Sequence, residues 1–283
     1  MKNKVFKWVF LMPIIIYACI LILLPLLYIL FLSFLTSDSY GGMLYNFTLQ
    51  NYIDIFDFTY IKMFFKSSLI AIITTFICLL ISYPFALILR SKSTYTQNLA
   101  TKIIMIPFLT NSLIRTYGWI ILLRKSGIIN TALLNIGFID KPLSLMYNNF
   151  GIVVGMVYTL LPFMLLPLCS SVFAIDNNLI EAGRDLGAKP WQIFKEIIVP
   201  ETLSGVFNGS LMVFIPAIGY FFIADILGGG KTMIIGNLIK NQFLSARNWP
   251  FGSAISILLI VITFALVKIY KKVGGKMDDL GGL

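Results

Sequence analysis

The sequence predicts an all-α integral membrane protein with six transmembrane helices, and three observations carry that prediction. Only 12% of the residues are charged while 58% are hydrophobic, and the mean hydropathy is +0.90, well outside the balance of a water-soluble domain. Five stretches of 20 to 34 residues carry no charge at all: 8–37, 67–89, 142–175, 202–224 and 248–267. A sixth, 103–123, is uncharged except for Arg115. About 20 apolar residues suffice to cross a bilayer as a helix. The spans are therefore expected at about 8–35, 66–90, 103–123, 150–173, 203–225 and 252–270, within one membrane domain over 1–283.

Each segment between the spans adds a constraint. The amino-terminal segment, the 90–102 loop, the 176–200 loop and the tail after Val267 carry 13 Lys and Arg residues, against eight in the alternate loops. That bias predicts both termini in the cytoplasm, with 176–200 on the same side. The net charge of +10 then reads as basic loops facing anionic lipid rather than nucleic acid. The first apolar run is too long for a signal-peptide core and lacks a small-x-small cleavage site, so it reads as a retained helix.

Several chemistries are excluded. Cys19, Cys78 and Cys169 stand far apart in apolar runs and there is no histidine, so neither a disulfide framework nor a metal site is expected. DILGGGKT at 225–232 resembles a phosphate-binding loop. Asp225 stands where the first glycine is required, however, and a membrane helix precedes it instead of a strand. No nucleophile–base pairing is evident, and the chain is not expected to be an enzyme.

The 176–200 segment is the anomaly. EAGRDLGAKPWQIFKEIIVP (181–200) is charged and amphipathic between two long apolar runs. Leu179, Ala182, Gly183 and Leu186 recur at helical spacing, and Gly187 suits the left-handed residue that ends a helix. Pro190 suits the first turn of a second helix, Trp191, Phe194, Ile197 and Ile198 form its apolar stripe, and Pro200 is expected to stop it. Such a helix pair is either a hairpin on the membrane surface or a plug for a groove on a soluble partner.

Glu181, Ala182, Gly187, Ala188, Phe194, Ile197 and Pro200 match the EAA loop, EAAxxxGAxxxxxFxxIxLP, and on those residues the chain is similar to the permeases of type I, binding-protein-dependent ABC importers. Gly183 and Val199 depart from the pattern by small changes. The resemblance implies the type I permease fold, a bacterial cytoplasmic (inner) membrane location, and a coupling role for Glu181, Ala182, Gly187, Ala188, Trp191, Phe194 and Pro200. It implies as partners a second permease subunit, a dimer of cytosolic ATPases that hold ATP and Mg, and an extracytoplasmic solute-binding protein. The chain itself would hold no cofactor. FTLQNYIDIF (47–56), PFLTNSLIRTYGW (107–119), VYTLLPFMLLPLCSS (157–171) and GNLIKNQFLSARNWPFGSAIS (236–256) narrow the resemblance to spermidine/putrescine permeases.

The residues themselves say less about a substrate. An ion at bilayer depth is costly, so Arg115 needs a partner, and Asp225 at the outer end of the fifth span is a candidate. Asn111, Tyr117, Tyr220 and Phe221 stand near the same level. Together these six residues are the candidates for a substrate pathway, as a carboxylate beside aromatic faces suits an amine. Structural roles remain open for all of them: Arg115 as a clamp between helices, the aromatics as an interfacial belt. Other readings are an importer permease for iron, thiamine or an amino acid, or a secondary transporter. The last would normally show several buried acids.

Overall fold

The computed structural model describes residues 11–38, 41–230 and 232–272. Residues 8–10 of the first expected span, and the basic residues counted near both termini, lie outside that set apart from Lys268, Lys271 and Lys272. The chain divides into two compact units, residues 1–62 with 238–264 and residues 63–237 with 265–283.

The first unit begins with α1 (Leu11–Leu32), interrupted by a single π-helical turn at Cys19–Leu23. Its apolar residues point outward on all sides, as suits a helix whose neighbours are lipid or another chain. A short hairpin follows, β1 (Leu35–Ser37) against β2 (Met43–Phe47), antiparallel, with Thr36 opposite Leu44 and Ser37 opposite Met43. Asn51 in α2 (Gln50–Asp54) fastens this cap, its Nδ2 donating to the carbonyls of Ser33 (3.0 Å) and Leu35 (2.8 Å). Phe34 stacks on Phe47 at 5.4 Å, and Tyr60 packs against Phe251 at 5.0 Å.

The second unit holds most of the membrane helices. In α3 (Phe58–Arg90), Ser67, Ala71, Thr74, Cys78, Ser82, Ala86 and Leu89 are buried at steps of three or four, one stripe of a 3.6-residue period. The expected 103–123 span is broken. It comprises α4 (Thr94–Met105), a 3-10 turn at Ile106–Leu109, and α5 (Ser112–Leu123). The axes before and after the break differ by 90°. Pro107 removes a backbone donor, Thr110 is extended, and Asn111 restarts the helix by accepting from the Leu113 N–H at 2.8 Å.

A short α6 (Ile128–Asn135) leads to α7 (Asn149–Phe173). Then come α8 (Asn177–Asp185), α9 (Pro190–Gly219) and α10 (Phe221–Gly228). The expected 203–225 span is thus both longer and interrupted, since α9 starts inside the charged insert and stops at Tyr220. The chain closes with α11 (Ile235–Leu244) and α12 (Trp249–Lys272). Among the described residues, and counting the bent pair as one, six spans are long and apolar enough to cross a membrane.

The core of this unit is the α7–α9 crossing, built on small residues. A Cβ at Gly205 would sit 2.8 Å from the Pro167 carbonyl oxygen, and one at Gly209 would sit 2.7 Å from Met164 Sδ. Where lipid surrounds the helices there is little hydrophobic gain from pairing them, so close backbone approach and dispersion must hold the pair.

Candidate functional site

The insert is two short helical pieces locked together by backbone chemistry. Asp176 caps α8, accepting from the Asn178 N–H at 2.9 Å. Its far end is a Schellman turn: Ala188 N–H donates to the Gly183 carbonyl (3.0 Å) and Gly187 N–H to that of Arg184 (2.9 Å). Gly187 takes φ +81°, a value that a side chain would resist. The Gln192 side chain then accepts from the Lys189 N–H at 2.8 Å, and Pro190 opens α9. These contacts agree with the turn and start residues expected from the sequence.

Two expectations are corrected. Pro200 does not stop the helix. A π-helical turn at Phe194–Ile198, closed by the Val199 N–H on the Phe194 carbonyl, widens the backbone just before it, and α9 runs on to Gly219. The wider turn takes up a residue that has no N–H and whose ring would crowd a regular helix. The apolar stripe, moreover, is received largely within the chain. Ile193 and Ile180 bury each other with Ile175, and Ile197 and Ile198 pack on that cluster. Gly183 is the fitting variation on the EAA pattern here, since a Cβ would stand 2.9 Å from Ile197 Cδ1.

What remains outside is narrow. Trp191 is 67% exposed and Leu186 88% exposed, with Leu179, Glu181, Ala182 and Gly187 also exposed around them. Phe194 is half-buried, stacking under Trp191 (5.5 Å) and meeting Tyr83 of α3 edge-on (5.7 Å). The Tyr83 hydroxyl is in turn 2.7 Å from Thr202 Oγ1 on α9. Arg90, at the end of α3, donates from Nη2 to the Ile175 carbonyl (3.0 Å) and Asn177 Oδ1 (2.7 Å). Arg90 and Tyr83 therefore brace the insert against the membrane helices. Neither is signalled by the sequence, because both contacts span more than 80 residues.

The membrane-level candidates do not form one cluster. Asn111 spends its oxygen on capping α5, and Tyr117 is exposed. Arg115 sits between aromatic rings, its guanidinium carbon 5.2 Å from the Phe108 centroid and 5.8 Å from that of Tyr158. Among the described residues its side chain makes no ion pair, and its Nε is buried without an acceptor. Tyr220 and Phe221 stand at the α9–α10 break, with Phe222 edge-on to both. Asp225 accepts from Asn237 Nδ2 (2.5 Å), which also donates to the Phe221 carbonyl (3.1 Å). Thus Asp225, Phe221 and Asn237 form one group, while Arg115, Phe108 and Tyr158 form another, with Tyr220 close enough to Arg115 to feel its charge. Asn237, Phe108 and Tyr158 lie inside the quoted stretches, yet in such apolar runs no periodicity singles them out.

Comparison with known proteins adds independent findings. A profile described as "Binding-protein-dependent transport system inner membrane component" matches residues 82–277. The spermidine/putrescine transport system permease protein PotB of Haemophilus influenzae is 43% identical over 249 residues, 88% of this chain and 87% of that protein. The protein of the same name from Salmonella typhimurium LT2 is 42% identical over 271 residues, 95% of this chain and 94% of its own. Among solved structures, a bacterial alginate ABC transporter in complex with its alginate-bound periplasmic protein superposes with a TM-score of 0.76 at 15% identity. That match covers 95% of this chain and 93% of the other, and speaks to the fold. The profile takes in well over half of the residues and the relatives span nearly all of them, so the chain belongs to the family of binding-protein-dependent transport system inner membrane components.

Proposed function

We propose that the chain is one permease subunit of an ATP-driven importer of spermidine and putrescine. The observation that carries this reading is the 42–43% identity, over 88–95% of the chain, to permeases that bear that substrate in their names. In this reading both termini and the 176–200 insert face the cytoplasm. A second permease completes the translocation path, a pair of cytosolic ATPases binds ATP and Mg, and an extracytoplasmic binding protein delivers the amine.

The geometry supports a mechanical role for the insert. Trp191 and Leu186 offer an apolar knob flanked by Glu181, suited to a groove on an ATPase. Behind the knob, α9 is a single 30-residue rod, about 45 Å at 1.5 Å per residue, from Pro190 to the break at Tyr220. Beyond the break, α10 packs on α5, the helix that carries Arg115. Movement of the insert as the ATPases close around ATP would thus reach the aromatic level through one stiff element and one hinge. No proton or bond is moved by this chain; the chemistry belongs to the ATPases.

The test is reconstitution of the complete importer in vesicles with labelled amines. Uptake that needs ATP, the binding protein and an intact 181–200 segment is the expected result. Vesicles that take up another solute but neither spermidine nor putrescine would refute the substrate. Reporter fusions give the orientation: residues 36–65 outside and residue 190 inside.

A further inference from the structure

Arg115 is held in an unusual way for an ion expected at membrane level. Its guanidinium lies over two rings, at 5.2 Å from Phe108 and 5.8 Å from Tyr158, while Nε is buried with no acceptor. Each of these rings is propped by another. Phe163 meets Phe108 edge-on at 5.1 Å, and Trp119, one turn beyond Arg115, meets Tyr158 edge-on at 5.4 Å. Phe108 comes from the 3-10 turn just before the 90° break, and Tyr158 and Phe163 come from α7. Tyr158 as a residue remains 38% exposed.

Two ring faces converging on one point attract cations of any kind and disfavour anions, because each face carries the negative side of the ring quadrupole. A guanidinium in that position is the protein's own occupant of a cation site. It fits imperfectly, as the orphaned Nε donor indicates, and water or an acceptor elsewhere would satisfy that donor better. A quaternary ammonium has no N–H donor to leave unpaired, and a primary ammonium can turn its three donors on a rotatable head toward water or a carbonyl while its carbons face the rings.

We propose that Phe108 and Tyr158, propped by Phe163 and Trp119, form a binding site for an alkylammonium group, which Arg115 fills until an incoming amine displaces it. Exchange of one cation for another leaves the charge between the rings unchanged. The arginine is therefore not a fixed barrier to a cationic substrate, because the amine takes its place as the side chain swings away. The site rests on the polyamine reading only for the identity of the natural amine. The rings would select any alkylammonium.

The test uses the purified importer complex in lipid nanodiscs without its binding protein, titrated with tetramethylammonium and, separately, spermidine. Removing a tethered competitor raises apparent affinity by the fraction of time it had blocked the site. Arg115→Ala is therefore expected to bind tetramethylammonium about tenfold or more tighter than the parent complex. Arg115→Lys, which refills the site, should stay near the parent. Adding Phe108→Leu or Tyr158→Leu to Arg115→Ala should reverse the gain. If Arg115→Ala does not assemble, Arg115→Gln serves the same comparison. No gain on removing the arginine, or a gain that survives both ring replacements, overturns the site. Binding of tetramethylammonium but not spermidine keeps the site and counts against the polyamine reading alone.

Discussion

In the 176–200 insert the backbone is tied at every turn while two large apolar side chains stand exposed. Around Arg115 a charged side chain is drawn in among rings while the backbone is broken on both sides, at Thr110–Asn111 and at Tyr220. The first arrangement makes a rigid shape out of a polar surface; the second leaves hinges inside a greasy one. A rigid knob transmits force, and a hinged, aromatic-lined level changes shape in response. The same unit of the chain contains both, and α9 connects them. The contrast predicts that changes in the insert act on coupling without touching amine recognition, and that changes at the aromatic level do the reverse.

Gly187 offers the most severe way to break the comparison. At φ +81° a β-branched side chain adds roughly 1–2 kcal/mol of strain, and relief comes only by undoing the Schellman turn. Gly187→Val then redirects Leu186 and Trp191 together. Uptake should drop by about two orders of magnitude if both anchors are lost, taking each at roughly 1.4 kcal/mol or more. Amine binding to the complex should be unchanged, and the protein should still insert, since the spanning helices are untouched. Wild-type uptake by this variant would show that the insert transmits nothing.

Trp191 and Phe194 sharpen the distinction within the insert itself. Trp191→Ala removes a largely exposed ring, so the permease alone should keep its thermal stability while its affinity for the ATPases falls about 30-fold, as for a hot spot of about 2 kcal/mol. Phe194→Ala removes the ring wedged between Trp191 and Tyr83. It should lower both the melting temperature and ATPase recruitment. Equal effects of the two substitutions on stability would mean that the insert has no separate outer and inner layers.

How much of this was legible in the sequence follows the same divide. The insert declared itself because its signals are local: helical spacing from Leu179 to Leu186, Gly187 at the turn and Pro190 at the restart. The reading failed at Pro200, where a π turn absorbs the proline, and over the stripe, where Ile193 turns inward to Ile180. Burial of that kind depends on how α8 folds back, and one helix's period does not contain it. The spans were countable because the bilayer sets their length, whereas the break after Pro107 escaped a count based on charge, since the Thr110–Asn111–Ser112 run that marks it is polar but uncharged. The aromatic site was illegible for a simpler reason. Arg115 stood out as a lone charge, but α7 is apolar on every face, so nothing marked Tyr158 as its neighbour 43 positions away.

The subtlest prediction concerns Asp225, which the sequence suggested as the partner of Arg115. In the structure Arg115 lies against rings and Asp225 accepts from Asn237, whose oxygen also receives the Ile234 N–H at 3.1 Å. Asp225→Asn keeps an acceptor oxygen but discards the charge, so uptake should fall by a few-fold, about 0.5–1 kcal/mol, within the net worth of one hydrogen bond. Arg115→Gln acts on a different group of residues. Its loss should add to that of Asp225→Asn within about 0.3–0.5 kcal/mol, the tolerance for independent sites. Asp225→Asn combined with Asn237→Ala should instead be less than additive, because both act on one network that also holds the Phe221 carbonyl. The measurement is initial uptake rate for the three single and two double variants beside the parent. Overlap between Arg115 and Asp225 would mean that the two meet in another state of the cycle, when the α9–α10 hinge has moved. Additivity there with overlap at Asn237 fixes Asp225 as a brace of that hinge and leaves recognition of the amine to the rings.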